Sequence, residues 1–310
     1  MQIWILIAVF AHFLNAVTAI VDKHIVSDKV MKPVVYAFYS GIFQIEYLLA
    51  IPVLAVLWPE IAFRFPSWEL FALAAFAGAL FIFTLTIFYQ AIRLAEVSRV
   101  TPMVGVSVPV FTFLLSFIFL GESLSARQGV AFTLFLIGGF FMSANISQGR
   151  ITKVRGTALA LVSGFLFASY YVIIDFLFGR VGFLDAFILI QFGGFLGAVL
   201  LLVPSKSRRE ILGMKEEEND IIENRTSAVL FVSDKLTSAV AAFLLTYSIS
   251  IGDVVIVNSL QATQYAFTLI LAIILSKKLP SFCREQTGKD VILQKSFSLV
   301  LIAIGLILIA

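Results

Sequence analysis

Residues 95–125 read AEVSRVTPMVGVSVPVFTFLLSFIFLGESLS, with no charged residue between Arg99 and Glu122. A run of about 20 mostly apolar residues is what a helix needs to cross a hydrocarbon layer roughly 30 Å thick. The stretch therefore reads as a membrane-spanning helix. Two prolines lie inside it, Pro102 near the entry and Pro109 close to mid-depth. Each deletes a backbone donor, a loss that only neighbouring helices or cavity water can compensate in a bilayer. The span is expected inside a helix bundle, away from lipid.

The rest of the chain has the same character. Of its 310 residues 60% are hydrophobic and 13% charged, against about 25% charged in soluble domains. Apolar windows place ten spans at roughly 3–21, 34–57, 70–92, 100–120, 126–144, 156–178, 184–203, 228–250, 254–276 and 291–310. Nine spans, or eight with re-entrant segments, are the alternatives. Met1-Gln2 leads straight into the first run without a basic segment, so an uncleaved first helix is expected, not a signal peptide. The connections are short except for a polar loop at 204–227, which holds Arg208-Arg209 and Glu216-Glu217-Glu218 and reads as a solvated loop.

The order of features in the opening stretch, a small residue and acid at the entry, two prolines, Pro-Val-Phe-Thr, then Phe-Leu-Gly-Glu at the exit, resembles the fourth helix of an EamA-type domain in the drug/metabolite transporter superfamily. That resemblance implies ten helices, a central cavity lined by spans 1, 3, 4, 6, 8 and 9, and a transporter of small organic solutes in the cell (inner) membrane. It also implies that both termini face the cytoplasm. The charge distribution points the other way. Most of the 22 Lys and Arg residues lie in loops after odd-numbered spans, which the positive-inside rule assigns to the cytoplasm, with both termini outside.

The two halves echo one another. Ala37-Phe38 recurs as Ala186-Phe187, Phe13-Leu14 with Ala16 as Phe165-Leu166 with Ala168, Glu96-Val97 as Asp253-Val254, and Phe111-Thr112 as Phe267-Thr268, in the same order and at nearly one offset. The fold expected is all-α, with ten transmembrane helices arranged as five-helix repeats over 1–145 and 146–310. Five spans per repeat is an odd number, so the second repeat enters the membrane from the opposite side. In such inverted repeats the binding site lies near mid-membrane between the halves.

Polar side chains within the spans are costly in hydrocarbon and mark the candidate site. His12 and Asn15 form a stripe on span 1 with Asp22. Ser163, Tyr170, Tyr171 and Asp175 do so on span 6, and Asn258, Gln261, Gln264, Tyr265 and Thr268 on span 9, at helical steps. Thr112 on span 4 and Tyr89 on span 3 complete the candidate binding set. Spans 5 and 10 carry few polar residues and read as peripheral. Amides in a membrane bundle also serve as interhelical packing contacts, the competing use for span 9. His12 fits a packing or cavity role better than a metal site, because the only other histidine, His24, lies in a loop.

Two acids are candidates for proton coupling. Glu46 sits mid-span with no base nearby in sequence, and Asp175 lies toward a span end. Family members place span 2 outside the cavity, which weighs against Glu46. Lys235, like Asp175, is within reach of a span end and expected to snorkel to the interface. Gly193-Gly194-Phe-Leu-Gly197 permits close helix approach, within the bundle or across a homodimer.

Enzymatic motifs do not occur. There is no His-Glu-x-x-His, no Walker A and no Gly-x-Ser-x-Gly, the nearest being Gly105-Val-Ser107-Val-Pro109. Single Cys283 excludes an intramolecular disulfide and paired-cysteine metal sites. No enzyme activity, metal, cofactor or nucleic-acid partner is expected. The function expected is secondary transport of a small organic metabolite, proton coupling included. A non-transporting scaffold or sensor is the alternative, and a nucleotide-sugar or triose-phosphate-like exchanger is the alternative within the superfamily. The bilayer and a small solute are the partners.

Overall fold

The computed structural model describes residues 2–26, 32–47, 65–94, 97–143, 154–213, 225–278 and 289–309. Expectations placed on the Asp22, His24, Glu96, Arg99, Thr101 and Pro102 side chains, on Cys283 and on 214–224 lie outside what it describes. In chain order the helices are α1 (Ile3–Val26), α2 (Pro33–Phe43), α3 (Trp68–Leu94), α4 (Val97–Leu115), α5 (Ala126–Ser143), α6 (Val154–Val181), α7 (Phe183–Leu200), α8 (Ser205–Leu212), α9 (Arg225–Ile251), α10 (Val254–Ser259), α11 (Gln261–Lys278) and α12 (Lys289–Ile309). No strand occurs among the described residues.

Among the described residues six stretches are long and apolar enough to cross a membrane: Ile3–Ile20, Trp68–Leu94, Met103–Leu120, Arg155–Val181, Phe183–Leu200 and Val254–Leu271. At 1.5 Å per residue the 27 residues of α3 reach about 40 Å, more than the hydrocarbon thickness. The ladder of each helix satisfies its own backbone, which is why apolar segments of this length fold as helices in lipid.

α4 shows how the opening stretch is used. Val100, Val104, Val108, Thr112 and Ser116 recur every four residues and are all buried, so they form one face of the helix. Leu114, Phe117, Ile118 and Phe119 on the other side are exposed. The expectation that the whole span is enclosed is corrected: one face packs in the bundle and the other meets the surroundings. The helix widens into a π-turn at Ser116–Leu120 and stops at Gly121, whose φ of 71° is a left-handed conformation that glycine adopts without penalty.

Bundle packing crosses the midpoint of the chain. α3 and α4 pack on α6, and α3 also packs along α7; α1 packs on α9 and α11. Backbone contact between α3 and α7 is made by glycine. A Cβ on Gly78 would lie 1.9 Å from the Ile190 carbonyl oxygen, and one on Gly193 would lie 2.3 Å from that of Ala75. Gly197 meets Ala79 in the same way. The 193–197 pattern is thus used inside the chain. α5 and α12 pair with each other, Gly138 against Ile302 and Gly305 against Phe135.

The first part of the polar loop is helical. α8 occupies its first turns, with Ile211 buried against Val34 and Val35 of α2 while Arg208 and Arg209 point outward. An amphipathic octamer next to an apolar helix end gains by docking Ile211, while Leu212 beside it stays exposed.

Candidate functional site

A cavity of about 330 Å³ opens among α1, α2, α3, α6, α7 and α9. Each helix presents one face to it. α3 gives Phe81, Leu85 and Tyr89 at steps of four, α9 gives Lys235, Ser238, Ala239, Ala242 and Thr246, and α1 gives Asn15 and Thr18. Tyr36, Ser40 and Phe43 come from α2, followed by Gln44, Glu46 and Tyr47 just beyond it. Tyr170 of α6 and Phe187 and Gln191 of α7 close the wall.

The wall is aromatic with polar points. Tyr36 and Tyr89 stand edge to face with centroids 4.8 Å apart, and Phe81 lies 4.9 Å from Tyr170, itself 5.3 Å from Tyr171. Such spacings are those of attractive ring pairs. The Tyr47 hydroxyl donates to the Ala239 carbonyl at 2.8 Å, tying the segment after α2 to α9. Lys235 does not snorkel. Its Nζ donates to the Tyr36 hydroxyl at 2.6 Å, lies 4.5 Å from the centroid of that ring and stands 3.3 Å from Oδ2 of the enclosed Asp234. Tyr36 and Asp234 hold the ammonium inside the protein, which corrects the interfacial expectation.

Of the residues singled out in the sequence, Asn15, Tyr89, Tyr170 and Glu46 line this cavity. Glu46 borders it from the short segment that follows α2, although the resemblance implies that span 2 tends to lie outside the cavity. The others lie elsewhere. His12 is buried, its Nε2 paired with the Val257 carbonyl at 3.2 Å, with Gln264 close by. A carbonyl only accepts, so Nε2 carries the proton. Asn258 donates to the Val254 carbonyl of its own helix, and Thr112 and Thr268 donate to Val108 and Gln264 in theirs. Tyr265 packs its hydroxyl against Gly105, where a Cβ would sit 1.8 Å from it. Gln261 is half-buried at the break between α10 and α11, Tyr171 stacks beside Tyr170, and neither lines the cavity. The cavity residues of α9 that sequence reading passed over include Ser238 and Thr246, whose hydroxyls carry only weak polarity.

Asp175 belongs to a second polar group at one end of the bundle. Asp253 caps α10, its Oδ1 accepting from Val255 and Ile256 at 2.9 and 3.0 Å, while Gln128 Nε2 donates to its Oδ2 at 3.4 Å. Gln128 in turn accepts from the Ser125 backbone and hydroxyl at 2.9 and 2.8 Å. Glu122 and Asp175 interact with one another in this group. Burial pushes the Glu122 and Asp253 carboxyls above their ordinary range, and the Asp253 charge raises Glu122 further. Among the described residues no group of three or more His, Cys, Asp or Glu is placed to hold a metal ion.

Membrane-length apolar helices around an interior polar cavity define an integral, multi-pass helical membrane protein. Residues 2–144, a little under half of the chain, match the model of the EamA-like transporter family. Members of that family are transporters, not enzymes. No curated protein matches the chain. Twenty-three chains of solved structures do. One of them, a crystal structure of a protein, aligns over 98% of this chain and 96% of its own, with a TM-score of 0.70 and 16% identity. At that identity the likeness establishes a shared fold and nothing about substrate.

Proposed function

We propose that the protein is a secondary transporter that moves a small organic solute across the cell (inner) membrane by alternating access around the cavity. The observation that carries this reading is the cavity itself: helices from both halves of an apolar bundle turn amides, hydroxyls, tyrosines, Lys235 and Glu46 inward to one space. Polar groups are expensive at membrane depth unless they face water or a ligand. The two halves act as inverted five-helix repeats over 1–145 and 146–310, a reading supported by the exchange in which α1 packs on α9 and α11 while α6 packs on α3 and α4. Glu46, on the cavity wall, is the group proposed to exchange a proton with the solute pathway. His12, Gln264 and Asn258 are assigned to holding α1 against the broken α10–α11 segment.

The test is flux in proteoliposomes of purified protein, loaded with a metabolite mixture and followed with and without an imposed pH gradient. Solute-specific flux that disappears in Gln191→Leu is expected. Flux no greater than in protein-free liposomes for every solute, with the protein shown to be folded, would favour a scaffold or sensor instead.

A further inference from the structure

We propose that Glu46 and Gln44 form a receptor for a protonated amine, so that the transported solute is a small organic cation that carries N–H donors on an apolar body. The proposal rests on the transport reading and names its substrate class. Charge decides the sign. Among the described residues the cavity wall carries two charged groups, Lys235 and Glu46. Lys235 is balanced by Asp234, whose Oδ2 stands 3.3 Å from its Nζ. Glu46 has no hydrogen bond or ion pair with a described residue, so its carboxylate is the uncompensated charge of the space. A charged group at membrane depth is costly unless a counter-charge or water answers it. A cation entering the cavity lowers that cost, and an anion raises it.

Gln44 supplies the second acceptor. Its Oε1 is buried without a hydrogen-bond partner among the described residues, set against Gly194 of α7, where only a glycine leaves room for it. A carboxylate and an amide oxygen accept and do not donate. What the two side chains lack is therefore a donor, and an ammonium that bears N–H groups answers both where a quaternary nitrogen answers only the charge. Rings complete the site. Tyr47 follows Glu46 in the chain and stands edge to face on Phe187 of α7, with centroids 5.0 Å apart, and Gln191 lies one turn further along α7 on the same wall. Ring faces attract cations. The wall already holds one in this way, Lys235 Nζ lying 4.5 Å from the centroid of Tyr36.

Thermal unfolding of the protein in nanodiscs of zwitterionic phosphatidylcholine, titrated at neutral pH with benzylamine, benzyltrimethylammonium, benzyl alcohol and benzoate, tests the assignment. Benzylamine, protonated under these conditions, is expected to stabilise; benzyltrimethylammonium should do so more weakly, and benzyl alcohol and benzoate not at all at equal concentration. Glu46→Gln should raise the apparent Kd for benzylamine about tenfold or more, and Gln44→Leu roughly three- to tenfold. Glu46→Gln keeps the shape of the side chain and removes a lone charge, so it decides if Gln44→Leu fails to fold. The proposal is overturned by benzyl alcohol, benzoate or benzyltrimethylammonium stabilising as well as benzylamine, by no stabilisation with benzylamine, or by a benzylamine affinity that Glu46→Gln leaves unchanged. Flux of a neutral or anionic solute without benzylamine binding would leave the transport reading standing while removing this one. Benzylamine binding that depends on Glu46, without flux of any solute, would remove the transport reading and keep the receptor.

Discussion

The α3–α7 contact turns on one hydrogen atom. Gly78 lies against backbone, with a Cβ position 1.9 Å from a carbonyl oxygen that belongs to a helix and cannot give way. Gly78→Ala is therefore expected to destabilise by about 1–3 kcal/mol or more. Gly129 on α5 has nothing within 4 Å of its Cβ position, and Gly129→Ala should be neutral or stabilising by up to about 1 kcal/mol. Thermal unfolding of the two variants in one detergent separates them; equal shifts would deny the close approach. The contrast also explains what single residues disclosed beforehand. Tyr89, Tyr170, Asn15 and Glu46 stand out in apolar runs as groups too polar for lipid, and they do line the cavity. Lys235 was legible as a charge, yet sequence alone cannot show Tyr36 and Asp234 arriving beside it, and a lysine without visible partners defaults to the interface.

Helices broken or capped by polar groups were only half visible. Pro109 and the charge-free run announced α4, and its buried four-residue stripe follows from periodicity. The division of the ninth span into α10 and α11 did not announce itself, because no proline or glycine lies at Leu260. What marks the break is distant in sequence: His12 takes the Val257 carbonyl just before it. His12→Ala should leave that acceptor without its partner and cost about 1–2 kcal/mol of stability, read as a lowered unfolding temperature that His12→Gln partly restores. Burial of Asp253 and Glu122 has a pH consequence. The folded state raises the Glu122 and Asp253 pKa values above 4.5 and 3.8, so it holds protons more tightly than the unfolded chain in the window just above those values. Stability therefore rises as pH falls through that window and is lost again as pH rises. Glu122→Gln deletes one of the two raised groups. Its unfolding temperature should climb less than that of the parent protein on acidification, and an identical climb would show that Glu122 does not titrate with folding.

At the scale of the whole chain, the pairing of helices decides what can fold alone. A domain that buried its own apolar surface would keep contacts within itself. Here α1 finds its principal partners, α9 and α11, in the other half, and α3 and α4 pack on α6. The echoes between Ala37-Phe38 and Ala186-Phe187, or Phe111-Thr112 and Phe267-Thr268, suggested two similar units but could not say that each lends its first helix to the other, since such an exchange leaves no local mark. The consequence is testable by dividing the chain after residue 145. Residues 1–145 alone leave α1 and the α6-facing sides of α3 and α4 without protein neighbours, including glycine and polar positions that hydrocarbon packs poorly. Each half expressed singly should aggregate or be degraded. The two halves expressed together should co-purify as one monodisperse species with an unfolding temperature close to that of the intact chain. If residues 1–145 gave a stable, monodisperse product of their own, α1 would have to find its partners inside the first half, and the cavity, which needs α1, α3, α6 and α9 side by side, would lose the arrangement on which the transport reading stands.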